Sequence, residues 1–145
     1  MKIKEVMTKN PQSVSSHDKL SLAAEKMKSL DVGFIPVVDD GKISGVLTDR
    51  DIIIRAIAKH KDPEKNEVNQ FMSSKFLSCF DDDDIEKAVS LMEEKQIRRL
   101  PVINHQKKLV GVVSLGDLAL ETHNQKQSGE ILEKVSEHRN KPKAS

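Results

Sequence analysis

The sequence has no tryptophan, no tyrosine, four phenylalanines and a single cysteine in 145 residues. Proteins that grip nucleic acid commonly combine a basic stripe with aromatic rings on which bases stack. With 3% aromatic residues and a net charge of +1, neither is available, and a nucleic-acid partner is not expected. Cys79 has no second cysteine, which excludes an internal disulfide and fits a reducing interior. No apolar run approaches the ~18 residues of a membrane helix. The N-terminal MKIKEVMTKN lacks the apolar stretch of a signal peptide. A cytoplasmic protein without a membrane partner is the expectation.

Catalytic and metal signatures are scarce as well. There is no nucleophile elbow G-x-S-x-G and no P-loop; Gly129 lacks the G-K-[ST] ending. The five histidines show no i, i+4 pairing and no cysteine at zinc spacing, so no metal site is expected. The run Asp81 to Asp84 lacks the glycine and terminal glutamate of a calcium loop, and reads as N-terminal helix capping. Cys79 falls in an expected strand and reads as a small buried residue rather than a nucleophile. The chain is not expected to be an enzyme.

What is present is a repetition. Met7, Ala23, Met27 and Pro36 recur as Met72, Ala88, Met92 and Pro101, at an offset of 65 residues. After one extra residue in a turn, Gly45, Thr48 and Asp51 recur as Gly111, Ser114 and Asp117, at an offset of 66. Such duplication predicts two copies about a pseudo-twofold axis, with matching clefts between them. Each copy alone is of marginal size for a stable fold, so a shared core is expected.

Leu20, Ala23, Ala24, Met27 and Leu30 recur at helical spacing, which predicts a helix over 20–30, with Ser16 and Asp18 as caps. Before it, Ser13 and Val14 suit a short strand. Phe34 to Val38 and Ile43 to Thr48 read as a hairpin around Asp39-Asp-Gly-Lys42, followed by a helix over 49–59. The second copy repeats this order: a strand at 77–80, a helix at 85–95, a hairpin from 100–104 and 109–113, and a helix at 115–124. The fold class is thus α/β (α+β), with two β-α-β-β-α repeats. Repeat 1 spans 1–60, a charged linker 61–70, repeat 2 71–127, and a C-terminal helix and tail 128–145, with a short helix after Gly129 through Val135 and a loose end from Arg139 to Ser145. The helices after the hairpins are apolar around most of their circumference, through Ile52, Ile53, Ile54, Ala56 and Ile57 in one and Leu115, Leu118, Ala119 and Leu120 in the other. A second buried contact is implied, and a homodimer is expected; packing against the other copy in the same chain is the alternative.

Both hairpins end in [Ser/Thr]-x-x-Asp, as Thr48-Asp-Arg-Asp51 and Ser114-Leu-Gly-Asp117. This pattern has two readings. A hydroxyl with an acid three residues on forms a capping box and needs no ligand. The same junction suits a nucleotide: helix N–H groups and the hydroxyl face phosphate, and the aspartate accepts from ribose hydroxyls.

The runs Val32-Gly-Phe-Ile-Pro-Val-Val-Asp39 with Gly45-Val-Leu-Thr-Asp-Arg-Asp-Ile52, and Ile97-Arg-Arg-Leu-Pro-Val-Ile103 with Val110-Gly-Val-Val-Ser-Leu-Gly-Asp-Leu118, resemble paired cystathionine-β-synthase (CBS) motifs. The lead-ins Val6-Met-Thr8 and Phe71-Met-Ser73 match as well, so the resemblance covers roughly residues 3 to 122. It implies a stand-alone CBS pair, or Bateman module: a regulatory binding module for adenosine nucleotides, often a dimer. By that resemblance Thr48/Asp51 and Ser114/Asp117 hold phosphate and ribose. Val14, Phe34, Ile35 and Pro36 lie against one adenine, and Cys79, Leu100 and Pro101 line the other cleft. Arg98 and Arg99 occupy the place of a phosphate-binding basic pair, whereas the first copy has Gly33 and Phe34 there, so the clefts should differ in affinity. Arg50 and Arg55 are the nearest substitutes. The implied ligand is AMP, ADP or ATP, with NAD or S-adenosylmethionine also compatible, and no cofactor is required. The regulated protein partner is unknown. The alternative is a structural dimerisation or scaffold module with vestigial clefts.

Overall fold

Two helices of matching pattern organise the chain, because each places its apolar positions on one stripe. In the computed structural model, which describes residues 1–128, helix α1 spans Leu20–Leu30 and buries Leu20, Ala23 and Met27. Its counterpart, Ile85–Lys95, buries Ile85, Ala88 and Met92. Both stop on a left-handed residue, Asp31 (φ 55°) and Gln96 (φ 54°), after which Val32 and Ile97 donate back to Met27 and Met92 at 3.0 Å. The backbone bonds that close the two C-termini are thus repeated 65 residues apart.

The chain divides into two compact units. One comprises 10–77 and 105–109; the other comprises 1–9, 78–104 and the described residues from 110 onward. In the first, strands β2 (Phe34–Asp39) and β3 (Lys42–Thr48) form an antiparallel hairpin with a bulge between Val37 and Val38. Its turn uses Asp40 and Gly41, both at positive φ, the geometry that keeps a two-residue hairpin turn in step with strand twist. In the second unit the sheet order is β1 (Thr8–Lys9), β6 (Leu109–Ser114), β5 (Arg99–Ile103), β4 (Cys79–Phe80). The first hairpin has the same neighbours reduced to single bridges: Ser73 against Val46 on one side and Val14 against Val37 on the other. The strand expected at Ser13-Val14 is therefore one bridging residue, and that expected over 77–80 is Cys79–Phe80 alone. The helix at 85–95 is α3.

Residues 1–9 serve the second unit as residues 66–73 serve the first. Ile3 and Val68 are fully buried, and their amides donate to the carbonyls of Asp83 and Asp18, each at 2.9 Å. The amide of Leu20 donates to Asn66 and that of Ile85 to Met1. Those carbonyls satisfy the helix starts in place of the side chains expected to cap them. Asp18 instead accepts from the amide of Ser15 at 2.8 Å, and Asp83 from that of Phe80 at 2.9 Å. Asp84, at the N-cap of α3, makes no capping bond and pairs with Lys2 at 3.0 Å.

The helical run at 49–59 is not uniform. It begins as α2 (Asp49–Asp51), widens into a π-turn over Ile52–Ala56 and tightens into a 3₁₀ turn over Ile57–Lys59. Ile52 and Ala56 enter the core, whereas Ile53, Ile54 and Ile57 are 55%, 48% and 49% exposed. Helix α4 runs Leu115–Ser128, past its expected end at Asn124, burying Leu118 and leaving Leu120 exposed. The short helix expected through Val135 and the tail to Ser145 lie outside the described residues. No helix among the described residues is long and apolar enough to cross a membrane.

Candidate functional site

Each hairpin delivers a hydroxyl to the start of a helix. Thr48, still extended at φ −117° and ψ 162°, ends β3, and its Oγ1 accepts from the amide of Asp51 at 3.1 Å. The Asp51 carboxylate returns the bond, with Oδ2 accepting from the amide of Thr48 at 3.0 Å. The pair forms a reciprocal capping box, which settles two of the helix's orphan donors. Across the hairpin the half-buried Phe34 is the register partner of Thr48. The carbonyl of Gly33 accepts from the amide of Asp49 at 3.0 Å; a Cβ on Gly33 would lie 2.6 Å from Asp49 Oδ2, so a larger residue there would push the Asp49 carboxylate aside.

The second junction is built alike but finished differently. Ser114 Oγ accepts from the amide of Asp117 at 3.1 Å, and the carbonyl of Arg98 accepts from Leu115 at 2.7 Å. The Asp117 carboxylate is exposed and makes no bond to the Ser114 amide or to any other described residue. Arg98 and Arg99 are also exposed, with side chains that have no hydrogen bond or ion pair among the described residues.

The residues expected to line the base are placed unevenly. Val14, Ile35, Cys79 and Leu100 are core members of their units. The amide of Val14 is already committed to the carbonyl of Pro36 at 3.1 Å, and its carbonyl to Val38 at 2.8 Å. Pro36 and Pro101 are buried, leaving Phe34 as the apolar candidate with surface to offer. The Cys79 thiol sits 3.9 Å from the carbonyl of Pro101, and burial pushes its pKa up to about 12. Arg50 is exposed, but Arg55 is committed: it lies 3.5 Å from Asp51 Oδ1 and donates to the carbonyl of Phe71 at 2.8 Å. The i, i+4 spacing of Asp51 and Arg55 is the sequence signal for that pair.

One further polar centre had no signal in the motif. Asp39, at the end of β2, accepts from the hydroxyl of Ser44 at 2.7 Å, the hydroxyl of Ser15 at 2.9 Å and the amide of Ser16 at 3.1 Å. These bonds, led by that of Ser44, hold its carboxyl well below the usual carboxylate range. They fasten the turn before α1 to the first hairpin. Among the described residues no group of three or more His, Cys, Asp or Glu is placed to hold a metal ion.

Comparison with known proteins agrees with this architecture. The CBS domain-containing protein YhcV of Bacillus subtilis is 40% identical over 138 residues, covering 95% of this chain and 96% of the relative. A solved structure of Hypoxic Response Protein I with two coordinated zinc ions superimposes with a TM-score of 0.74 at 32% identity, covering 83% of this chain and 98% of that one. The structure of CBSX2 in complex with AMP superimposes with a TM-score of 0.74 at 25% identity, covering 86% and 98%. The CBS domain itself matches twice, over residues 3–57 and 68–123. With both matches in tandem and each carrying its own hairpin and helix start, this chain belongs to the CBS domain family.

Proposed function

We propose that the chain is a regulatory module that binds an adenosine-containing ligand and performs no chemistry itself. The observation that supports this reading is the second junction: an exposed Asp117 carboxylate beside Ser114, with the guanidiniums of Arg99, at the start of the neighbouring strand β5, and of Arg98 just before it, none of the three side chains having a partner among the described residues. A carboxylate accepts from both ribose hydroxyls, while arginines and helix amides favour phosphate. AMP, ADP and ATP fit this set; NAD and S-adenosylmethionine share the adenosine portion. The complex of the similar CBSX2 with AMP makes AMP the first probe. Binding would act by shifting the population of arrangements that an unknown partner protein recognises.

The test is calorimetric titration of the full chain with AMP, ADP, ATP, NAD and S-adenosylmethionine. Asp117→Ala should weaken the ligand that binds by at least ~1.5 kcal/mol, the cost of removing a charged acceptor. Arg99→Ala should weaken AMP more than adenosine. No heat with any of the five would favour the scaffold reading instead. That reading draws on the exposed Ile53, Ile54 and Ile57, an apolar face suited to a homodimer. Ile54→Lys should shift the chain toward monomer in sedimentation velocity.

A further inference from the structure

The two junctions carry the same hydroxyl and acid but differ one helical turn further on. Asp51 is followed at i+4 by Arg55, whereas Asp117 is followed by Glu121. Arg55 reaches Asp51 Oδ1 at 3.5 Å, the carbonyl of Phe71 at 2.8 Å and the hydroxyl of Ser73 at 3.3 Å. Since Asp51 Oδ2 already accepts from Thr48, both carboxylate oxygens are engaged, and the side chain is only 13% exposed. In the second junction Glu121 has no partner among the described residues, and its charge is of the wrong sign to neutralise Asp117.

We propose that Arg55 is a specificity-determining residue that closes the first junction to ribose, so that the chain takes its adenosine ligand at the second. The proposal rests on the reading that these aspartates accept ribose hydroxyls. A diol arriving at Asp51 meets a carboxylate that already faces a cation and whose open surface is small. To bind there it must displace a guanidinium that also satisfies Phe71 and Ser73, so entry of ligand would release the 71–73 segment from the helix. Arg55 is a positioning residue in this scheme: it acts through Asp51 and not on the ligand.

The experiment is calorimetric titration with AMP of the full chain and of Arg55→Ala, Arg55→Lys, Glu121→Arg and Asp117→Ala. The wild type should bind one AMP per chain, weakened by Asp117→Ala. Arg55→Ala should open a second AMP site, while Arg55→Lys, which keeps the cation, should stay at one. Glu121→Arg transplants the latch and should weaken the second-junction site by about tenfold. A single site in a folded Arg55→Ala, or unchanged AMP affinity in Glu121→Arg, overturns the proposal; if Arg55→Ala fails to fold, Glu121→Arg decides alone. If the wild type binds none of AMP, ADP, ATP, NAD and S-adenosylmethionine, the ligand reading and the latch fall together; if another of the five binds in place of AMP, the same variants are titrated with that ligand. Asp117-dependent binding with silent Arg55 and Glu121 variants takes down the latch only.

Discussion

The amide of Leu20 donates to the carbonyl of Asn66 at 2.9 Å, so α1 begins on a segment from far along the chain. Its counterpart is the bond from Ile85 to Met1 at 3.1 Å. Each hairpin unit is thereby completed by a short lead-in, 66–73 in one and 1–9 in the other.

Ile3, fully buried in the second unit, should therefore behave as a core residue. Ile3→Ala should cost about 2–4 kcal/mol of stability. Val68→Ala should lower the urea midpoint as well. A midpoint for Ile3→Ala within error of wild type would show that residues 1–9 do not complete the second unit.

The lead-ins also dictate glycine. A Cβ on Gly45 would lie 2.8 Å from the carbonyl oxygen of Ser73 and 2.9 Å from Met72 Sδ, and one on Gly111 would overlap the thioether of Met7. Gly45→Ala and Gly111→Ala should each destabilise by about 1–3 kcal/mol, as overpacking does. Gly116→Ala, with nothing within 4 Å of the added carbon, should be neutral or slightly stabilising. Thermal melts of the three variants make the comparison.

Asp39 links stability to pH. Its folded pKa is depressed by the bonds from Ser44, Ser16 and Ser15. Its contribution is therefore fully present above the unfolded value of about 3.9 and is lost as pH falls below it. Asp39→Asn should lower stability at pH 7 by about 1–2 kcal/mol. The gap from wild type should narrow in urea titrations run progressively below pH 4. A gap independent of pH would remove Asp39 from the acid response.

Cys79 should be inert in the folded protein. A thiol with a pKa of about 12, buried in the core, presents almost no thiolate at neutral pH. Iodoacetamide labelling followed by mass spectrometry should be negligible in buffer and complete in denaturant. Rapid native labelling would contradict the burial.

These relationships explain which parts of the molecule could be read from sequence. The limits of α1 and α3 were legible because Leu20, Ala23 and Met27, like Ile85, Ala88 and Met92, leave an unbroken helical stripe. The capping was not, because the donors at both helix starts are satisfied by remote carbonyls while Asp18 and Asp83 turn back to Ser15 and Phe80. The flanking strands were overdrawn, since a one- or two-residue strand is defined by its partner rather than by its own pattern. At the junctions, the Thr48–Asp51 and Ser114–Asp117 spacings were visible in sequence. Their difference was hidden in Arg55, whose spacing from Asp51 signalled an ion pair but whose hold on Phe71 and Ser73 depends on the fold.

The exchanged lead-ins have a consequence for how such a chain can exist at all. A polypeptide with one repeat would own a lead-in without its usual seat and a hairpin without its usual lead-in. Two such chains could satisfy each other only by meeting, and their folding would then depend on protein concentration. Joining the repeats in one chain turns that encounter into an intramolecular one, at the millimolar effective concentrations that a short tether provides. The duplication thus makes completion of each unit independent of how much protein the cell contains.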